Sequence, residues 1–325
     1  MTEIVCRRVL VAGCGAIGSV FGGLLRYSGH EVTLLGRPWH LDAIASHGLR
    51  IDGIWGEHHV SGFHLAEQPS ELHSPFDLVL LCVKAYDTES MVASIADRVA
   101  PAGDVLSLQN GLGNLEALAR AFGPARSLGA SVLVGARIPR PGCVTVTVQA
   151  APVVFGPLDA RATGAMGRAR GLADTFRRAR IDCRATDSIV SYLWAKVLYN
   201  APLNAVGALL NLHYGALGED SALRAIMDRV IDEAFAVALA ENVPLDWSSA
   251  AAYRDYFYGS LLPATFVHRS SMLQDLERGR QTEIDAINGE VWRRGNRLGI
   301  ATPFNELLTL LISARTRAGA RAAQP

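Results

Sequence analysis

One stretch of the chain carries a lysine and two asparagines at helical spacing. Lys196, Asn200 and Asn204 lie at i, i+4 and i+8, which puts all three side chains on one face of a helix. Their neighbours are apolar, and buried Lys or Asn is costly unless other groups satisfy it. Two Asn are also unusual on an ordinary solvated face, because Asn is a poor helix former. The pattern favours a polar ligand site, with a solvent-exposed face as the alternative interpretation.

A second polar cluster spans residues 270–276 and 281–285 and contains Ser271 and Glu283. Glu283 follows a break at Gly279, where a helix is expected to begin. The same residues are equally consistent with a plain helix start, in which Thr282 is the N-cap and the helix dipole favours an acid. Spacing alone leaves both interpretations open.

A glycine-rich turn lies near the start of the chain. It consists of Gly13, Cys14, Gly15, Ala16, Ile17 and Gly18, the pattern G-x-G-x-x-G. Gly13 permits the tight turn, Gly15 lets the backbone approach a pyrophosphate, and Gly18 lets helix and strand pack closely. A glycine turn without a ligand is the alternative. The order strand, turn, helix, strand around it favours a dinucleotide site.

The end of the second predicted strand bears on which dinucleotide binds. An NAD site normally has Asp or Glu there, to bind the ribose 2′-hydroxyl. This chain has Leu35, Gly36 and Arg37 instead. Arg37 can bind a 2′-phosphate bidentately; a solvated surface arginine is the alternative. Because the acid is also missing, we expect NADP(H).

Two further polar residues follow predicted strands. Lys84 comes after the run 78–83, and Asn110 begins the segment 110–113 after the run 105–109. In open α/β sheets, ligands bind at the carboxyl ends of the strands. Asn-Gly is also a common turn signal, so loop chemistry is the alternative. Two such residues after two strands favour the site interpretation.

The elements that must position these residues differ between the two halves of the chain. Apolar, β-branched runs at 8–12, 31–35, 78–83 and 105–109 predict buried strands, and 16–28 predicts an amphipathic helix. Further runs at 144–148 and 153–155 suggest an antiparallel extension, followed by a helix over 161–180. The repeated βαβ order predicts a Rossmann-type doubly wound sheet of the α/β class.

Beyond residue 187 the strand-like runs give way to helical periodicity. We expect helices over 192–210, 221–241, 265–280 and 285–298, and a disordered tail over 318–325. The predicted organisation is therefore a dinucleotide-binding domain at 1–187 and an all-helical C-terminal domain at 188–325 that carries catalysis and substrate binding.

Composition limits the class of partner. The 325 residues contain 31 basic and 31 acidic side chains, a formal net charge of zero, so nothing indicates nucleic acid or an anionic membrane as a partner. No run reaches the ~18 apolar residues of a membrane span. The five scattered cysteines show no metal-ligand spacing, so we expect no metal and a cytoplasmic protein with reduced thiols.

Along nearly its whole length the chain resembles the ketopantoate reductase family. The resembling segments are 13–18, 81–86, 109–113, 194–204, 271–275 and 282–289. The resemblance implies that Lys196 is the catalytic lysine and that Glu283 tunes it. It implies substrate binding by Asn200, Asn204 and Ser271, nicotinamide and substrate contacts by Asn110 and Lys84, and 2′-phosphate binding by Arg37.

The same resemblance implies NADPH-dependent reduction of 2-dehydropantoate to pantoate in pantothenate biosynthesis, with the substrate in a cleft between domains and a homodimer formed by the helical domain. One departure is that Pro141-Gly142 leads into residues 146–149 rather than a His-Thr-Gly-like stretch. Two alternatives stay open. One is a reductase of another 2-oxo acid or of an opine-type imine, and the other is a non-catalytic NADP(H)-binding regulator.

Overall fold

The structure is a computed structural model that describes residues 6–73 and 75–322. It divides into two compact units. The first runs to Gln109 and resumes over Asn114–Ile189, and the second comprises Asn110–Gly113 and the chain from Val190 onward. The short segment that follows the 99–107 strand therefore groups with the helical unit, which the sequence pattern did not indicate.

An eight-stranded sheet forms the centre of the first unit, in the order β12-β11-β8-β7-β6-β1-β2-β5. All neighbours pair in parallel except β11 and β8. Its strands are β1 Arg8–Ala12, β2 Glu31–Leu35, β5 His64–Ala66, β6 Phe76–Leu81, β7 Val99–Ser107, β8 Ser127–Ser131, β11 Val153–Pro157 and β12 Cys183–Ala185. The strands β1, β2, β6, β7 and β11 confirm the predicted strands, and the parallel order confirms the doubly wound α/β fold.

A second, four-stranded sheet has the order β4-β3-β10-β9. Its strands are β3 Leu49–Gly53, β4 His58–Val60, β9 Val134–Arg140 and β10 Cys143–Gln149. Of these, only β10 was predicted. The strand β4 was missed because it is only three residues long, and β9 because it contains no buried residue and so has no apolar, inward-facing pattern.

The helices of this unit are α1 Ala16–Tyr27, α2 Pro38–His47, α3 Thr88–Ile95, α4 Asn114–Phe122 and α5 Ala165–Arg178. Helix α1 packs against both sheets, and its glycines explain how. A Cβ atom at Gly22 would lie 2.6 Å from Val11 in β1, and one at Gly23 would lie 2.6 Å from Ile51 in β3. Each glycine lowers helix propensity by ~1 kcal/mol relative to alanine. The close packing that the two glycines allow on both sheets offsets this cost.

The second unit is helical, as predicted. Its helices are α6 Ile189–Leu210, α7 Tyr214–Glu219, α8 Ser221–Ala240, α9 Ala250–Tyr256, α10 Leu262–Ala264, α11 Ser271–Glu277, α12 Asn288–Leu298 and α13 Pro303–Ala322. Their core contains the fully buried side chains Trp194, Phe235, Tyr253 and Phe257. None of the helices in the described part of the chain has the length and apolar character that crossing a bilayer requires.

One helix prediction and the tail prediction in this unit were wrong in extent. The helix expected over 265–280 is confined to α11, because the residues before it bond elsewhere. The carbonyls of Phe266 and His268 accept hydrogen bonds from the backbone amides of Gly215 and Tyr214, at 2.7 and 3.0 Å. The tail expected from residue 318 is helical as far as Ala322, and residues 323–325 lie outside the described part.

Candidate active site

The polar stripe predicted from the spacing of Lys196, Asn200 and Asn204 lies on a single helix, α6. Around it Val197, Leu198 and other apolar residues are buried in the helical core. Asn204 itself is only 5% exposed, whereas Lys196 and Asn200 are partly buried. A fully solvated face, the alternative interpretation, does not describe this helix.

The pKa of the Lys196 ammonium group differs from that of an ordinary lysine. Burial lowers its pKa from 10.5 to about 8, because desolvation disfavours the charged form. The carboxylate of Glu283 opposes this effect and raises the pKa of Lys196. The chain has only two lysines, Lys84 and Lys196, among its 31 basic residues. Lysine suits this position because, unlike arginine, it can release its proton in an accessible pH range.

Glu283 does not start a long helix. It precedes a single 3-10 turn at Ile284–Ala286, and its side chain makes no cap hydrogen bond. The carboxylate is 8% exposed and accepts a hydrogen bond from Nδ2 of Asn110, at 3.4 Å. Of the two interpretations of this segment, the helix start is therefore replaced by a buried acid that interacts with Lys196 and Asn110.

The segment Asn110–Gly113 reaches Glu283 because glycine allows a close backbone approach. Gly111 has φ +85°, and a Cβ atom there would lie 2.3 Å from the carbonyl oxygen of Ala286. The amide of Leu112 donates a 2.8 Å hydrogen bond to the same oxygen. The Asn-Gly pair is therefore a turn, and it also places Asn110 within hydrogen-bond distance of Glu283.

Asn204 has a partner that the sequence did not predict. The hydroxyl of Tyr214, at the start of α7, donates a 2.6 Å hydrogen bond to Oδ1 of Asn204. Because Oδ1 is occupied as an acceptor, the side chain has its Nδ2 donors left to offer a ligand. Tyr214 lies beyond the end of α6, so helical periodicity contained no signal for this contact.

Ser271 occupies a different setting from the stripe. It is the first residue of α11 and is exposed, whereas Ser270 is buried and caps the helix by accepting from the amide of Leu273 at 3.1 Å. Its predicted contact with substrate stays a prediction.

In the first unit, each glycine of the turn occupies the environment that its predicted role requires. Gly13 has φ +108°, and a Cβ atom would lie 2.6 Å from the amide of Val83; at Gly18 a Cβ atom would lie 2.2 Å from the carbonyl of Gly13. At Gly15 a Cβ atom would meet nothing within 4 Å. No described side chain caps the N-terminus of α1. The turn therefore leaves backbone amides and open space beside Gly15, which fits a pyrophosphate.

Arg37 lies beside this turn. The carbonyl of Leu35, at the end of β2, accepts hydrogen bonds from the amides of Gly13 and Cys14, at 3.0 and 2.8 Å. Two residues later Arg37 is the exposed N-cap residue of α2. An exposed arginine directly after β2 is available to pair with a 2′-phosphate.

A buried polar network links the ends of β6 and β7. Nε2 of Gln109 donates 2.8 Å hydrogen bonds to the carbonyl of Val83 and to Oγ1 of Thr88, which in turn donates to Oδ1 of Asn114 at 2.8 Å. Lys84 follows Val83 and is partly buried. The network fixes the loops that carry Lys84 and Asn110, and spacing did not reveal it.

No three His, Cys, Asp or Glu side chains group into a metal site within residues 6–73 and 75–322. All five cysteines are free thiols.

Comparison with known proteins places the chain in a family. The family models described as "Ketopantoate reductase PanE/ApbA" and "Ketopantoate reductase PanE/ApbA C terminal" match residues 9–160 and 188–316. A 2-dehydropantoate 2-reductase of Aquifex aeolicus is 35% identical, over 95% of this chain and 96% of its own.

Two solved structures share the fold over 96% of this chain and 99% of their own. One is a PanE/ApbA family ketopantoate reductase from Ralstonia eutropha, with 34% identity and a TM-score of 0.84. The other is the ternary structure of D-mandelate dehydrogenase with NADH and anilino(oxo)acetate, with 28% identity and a TM-score of 0.86. The chain belongs to the ketopantoate reductase PanE/ApbA family.

Proposed function

We propose that this protein catalyses the NADPH-dependent reduction of 2-dehydropantoate to pantoate, a step of pantothenate biosynthesis. The single observation that carries the proposal is the stripe on α6, where Lys196, with a pKa lowered to about 8, interacts with the buried acid Glu283. Family membership and relatives that are themselves 2-dehydropantoate 2-reductases support the same reaction.

A nicotinamide cofactor, when bound, supplies the hydride that reduces C2 of the 2-oxo acid. The protein must then supply a proton to the oxygen, which becomes an alkoxide. Lys196 donates that proton from Nζ, and its lowered pKa makes transfer easier than from an ordinary lysine. Glu283 keeps the ammonium charged and oriented. Asn200, Nδ2 of Asn204 and the Ser271 hydroxyl bind the carboxylate and hydroxyl groups of the substrate.

Several of the predicted cofactor residues suit NADPH. The backbone amides at the start of α1, from Ala16 to Gly18, bind the pyrophosphate, for which the turn formed by Gly13, Cys14 and Gly15 leaves room. Arg37 binds the 2′-phosphate. Lys84 and Asn110 contact the nicotinamide end. NADH is the alternative cofactor, since D-mandelate dehydrogenase binds NADH on the same fold.

A second candidate function is the reduction of another 2-oxo acid. The observation that favours it is again D-mandelate dehydrogenase, whose ternary structure contains anilino(oxo)acetate, an aromatic 2-oxo acid derivative. The lysine, the acid and the carboxylate-binding side chains would serve such substrates equally well, because they act on the 2-oxo acid group that all of them share.

The test is a substrate panel that follows NADPH oxidation. Ketopantoate is compared with α-ketoisovalerate, which lacks its hydroxyl group, with pyruvate, and with phenylglyoxylate, the oxidised form of mandelate. We expect the highest kcat/KM with ketopantoate. A preference for phenylglyoxylate would establish the second candidate, and NADPH binding without turnover of any 2-oxo acid would favour a non-catalytic regulator.

A cytoplasmic location and a homodimer are further parts of the proposal. The five free thiols support the location. Light scattering would test the dimer, which requires twice the 34.8 kDa of one chain.

A further inference from the structure

A chain of buried polar side chains lies behind the glycine-rich turn and is not used by the proposed reaction. Nε2 of His40 lies 3.0 Å from Oγ of Ser19, and that oxygen lies 3.3 Å from Sγ of Cys14. His40 is 1% exposed, Ser19 0% and Cys14 7%. Polar groups this deep in a core destabilise the fold unless they are paired, so their exact pairing needs an explanation.

The direction of the hydrogen bonds follows from one backbone contact. The amide of Gly142 donates to Nδ1 of His40, at 3.1 Å, so Nδ1 must be unprotonated. Burial lowers the pKa of His40, which keeps the ring neutral. The single ring proton is therefore on Nε2 and is donated to Ser19, whose own hydroxyl proton is left for Sγ of Cys14.

This relay joins three separate segments. Cys14 is part of the glycine-rich turn, Ser19 is in the first turns of α1, and His40 is in the first turn of α2. Gly142 lies in the turn between β9 and β10 of the second sheet. His40 thus fixes the start of α2 against the glycine-rich turn on one side and against the second sheet on the other.

The start of α2 is also where Arg37 lies. The carbonyl of Arg37 accepts hydrogen bonds from the amides of His40 and Leu41, at 3.1 and 3.2 Å. Any shift of His40 is therefore passed to Arg37 through the first turn of the helix. Close contact adds to the coupling, because a Cβ atom at Gly36 would lie 2.7 Å from Cβ of Cys14.

We infer that His40 is a positioning residue for cofactor selectivity, which holds Arg37 at the spacing from the glycine-rich turn that lets one NADPH molecule engage both. The inference rests on the proposed NADPH binding. NADPH must bind the glycine-rich turn through its pyrophosphate and Arg37 through its 2′-phosphate at the same time, whereas NADH has no 2′-phosphate. Loss of the relay should therefore weaken NADPH and leave NADH nearly unchanged.

The experiment measures the Kd values of NADPH and NADH by fluorescence for the wild type and for His40→Leu. Leucine fills the space but pairs with neither Gly142 nor Ser19. We expect the Kd of NADPH to rise by about tenfold, the size of one lost charge-assisted hydrogen bond, with little change for NADH. His40→Gln should restore most of the preference, since its amide can accept from Gly142 and donate to Ser19.

His30 provides a matched control for general destabilisation. It is also a buried histidine, 3% exposed, and its Nδ1 accepts from the backbone amide of Arg7 at 3.2 Å. His30 lies before β2, whereas His40 follows β2 in the segment that carries Arg37. Both His30→Leu and His40→Leu should lower Tm, but only the latter should change the ratio of the two Kd values.

A double-mutant comparison separates positioning from a direct contact. In an Arg37→Leu background, His40→Leu should change the NADPH to NADH ratio no further, because its effect passes through Arg37. An unchanged ratio in His40→Leu, with a wild type that prefers NADPH, would overturn the role of His40. A wild type that binds NADH as tightly as NADPH would instead overturn the proposed function of Arg37, and the inference with it.

Discussion

At the scale of single residues, the proposed chemistry depends on the protonation of Lys196. Two effects of opposite sign act on its ammonium group. Burial lowers the pKa, and the nearby Glu283 carboxylate raises it, with a result of about 8. In the proposed mechanism the lysine donates a proton for the reduction below that pH, and above it the neutral amine accepts a proton in the reverse reaction. The balance lets one residue serve both directions near neutral pH.

The first prediction concerns this balance. In the wild type, kcat/KM for reduction should fall as pH rises through about 8, while oxidation of the 2-hydroxy acid should rise through the same pH. In Glu283→Gln the charge that raises the lysine pKa is gone, so the falling limb should move to lower pH. Steady-state rates across a pH series give both curves, and an unmoved limb would contradict the coupling.

Lys196→Met serves as the control for this series. Removal of a general acid typically costs ~10²–10⁴ in rate, so kcat should fall by that amount. The Kd for NADPH should stay the same. An equal loss in kcat and in NADPH binding would count against a role for Lys196 in the chemical step.

At the scale of secondary-structure elements, one helix orients a polar side chain on another. Helix α7 holds the stripe on α6 through the hydrogen bond from Tyr214 to Asn204. In the other unit, α1 begins at the glycine-rich turn, and two glycines of that turn differ in their surroundings. Gly15 faces open space, whereas Gly18 is enclosed by Gly13 and Val11.

Tyr214→Phe should raise KM for the 2-oxo acid with a smaller effect on kcat. The variant removes one hydrogen bond, worth about 0.5–1.5 kcal/mol, which corresponds to a roughly two- to tenfold rise. Tyr199→Phe is the matched control: its ring lies 6.0 Å from that of Tyr214, but its hydroxyl donates to Thr265 at 2.7 Å. Equal rises in KM for the two variants would show that Asn204 orientation is not the cause.

Gly15→Ala and Gly18→Ala should separate binding from stability. Alanine at 15 meets no neighbour within 4 Å, so Tm should hold while the Kd of NADPH rises by about tenfold or more, ~1.4 kcal/mol. Alanine at 18 would lie 2.2 Å from the Gly13 carbonyl, and overpacking of this kind costs ~1–3 kcal/mol. Thermal unfolding and cofactor fluorescence measure the two effects, and normal NADPH binding by Gly15→Ala would exclude the turn as the pyrophosphate site.

At the scale of the whole molecule, net charge gives no help in binding an anionic cofactor. With 31 charges of each sign, the attraction for NADPH must come from local groups, which we propose to be the N-terminus of α1 and Arg37. NADPH binding should accordingly stabilise the native protein. At 100 times its Kd, a ligand that binds only the folded state adds ~2.7 kcal/mol to the free energy of unfolding. We therefore expect NADPH at that concentration to raise Tm. Gly15→Ala at the same NADPH concentration should show a much smaller rise.

The sequence by itself determined the features that depend on local pattern. Strand β1, the Gly13–Gly18 turn and α1 follow one another within twenty residues, and the spacing of the glycines marks the turn. The stripe on α6 follows in the same way from the helical period. The fold class was predictable because alternating strand and helix patterns admit few arrangements.

Only the tertiary structure decided which distant residues meet. Asn110 and Glu283 are 173 positions apart, so no sequence periodicity relates them. They meet because Gly111, with φ +85°, allows the backbone to approach Ala286 closely. No sequence periodicity relates Tyr214 to Asn204 either, or His40 to Ser19 and Gly142. In the second sheet only β10 was predicted, because the pairing that builds the sheet, of β3 with β10, joins segments that are distant in the sequence. Local pattern encodes elements, whereas contacts between elements depend on where folding brings their surfaces together.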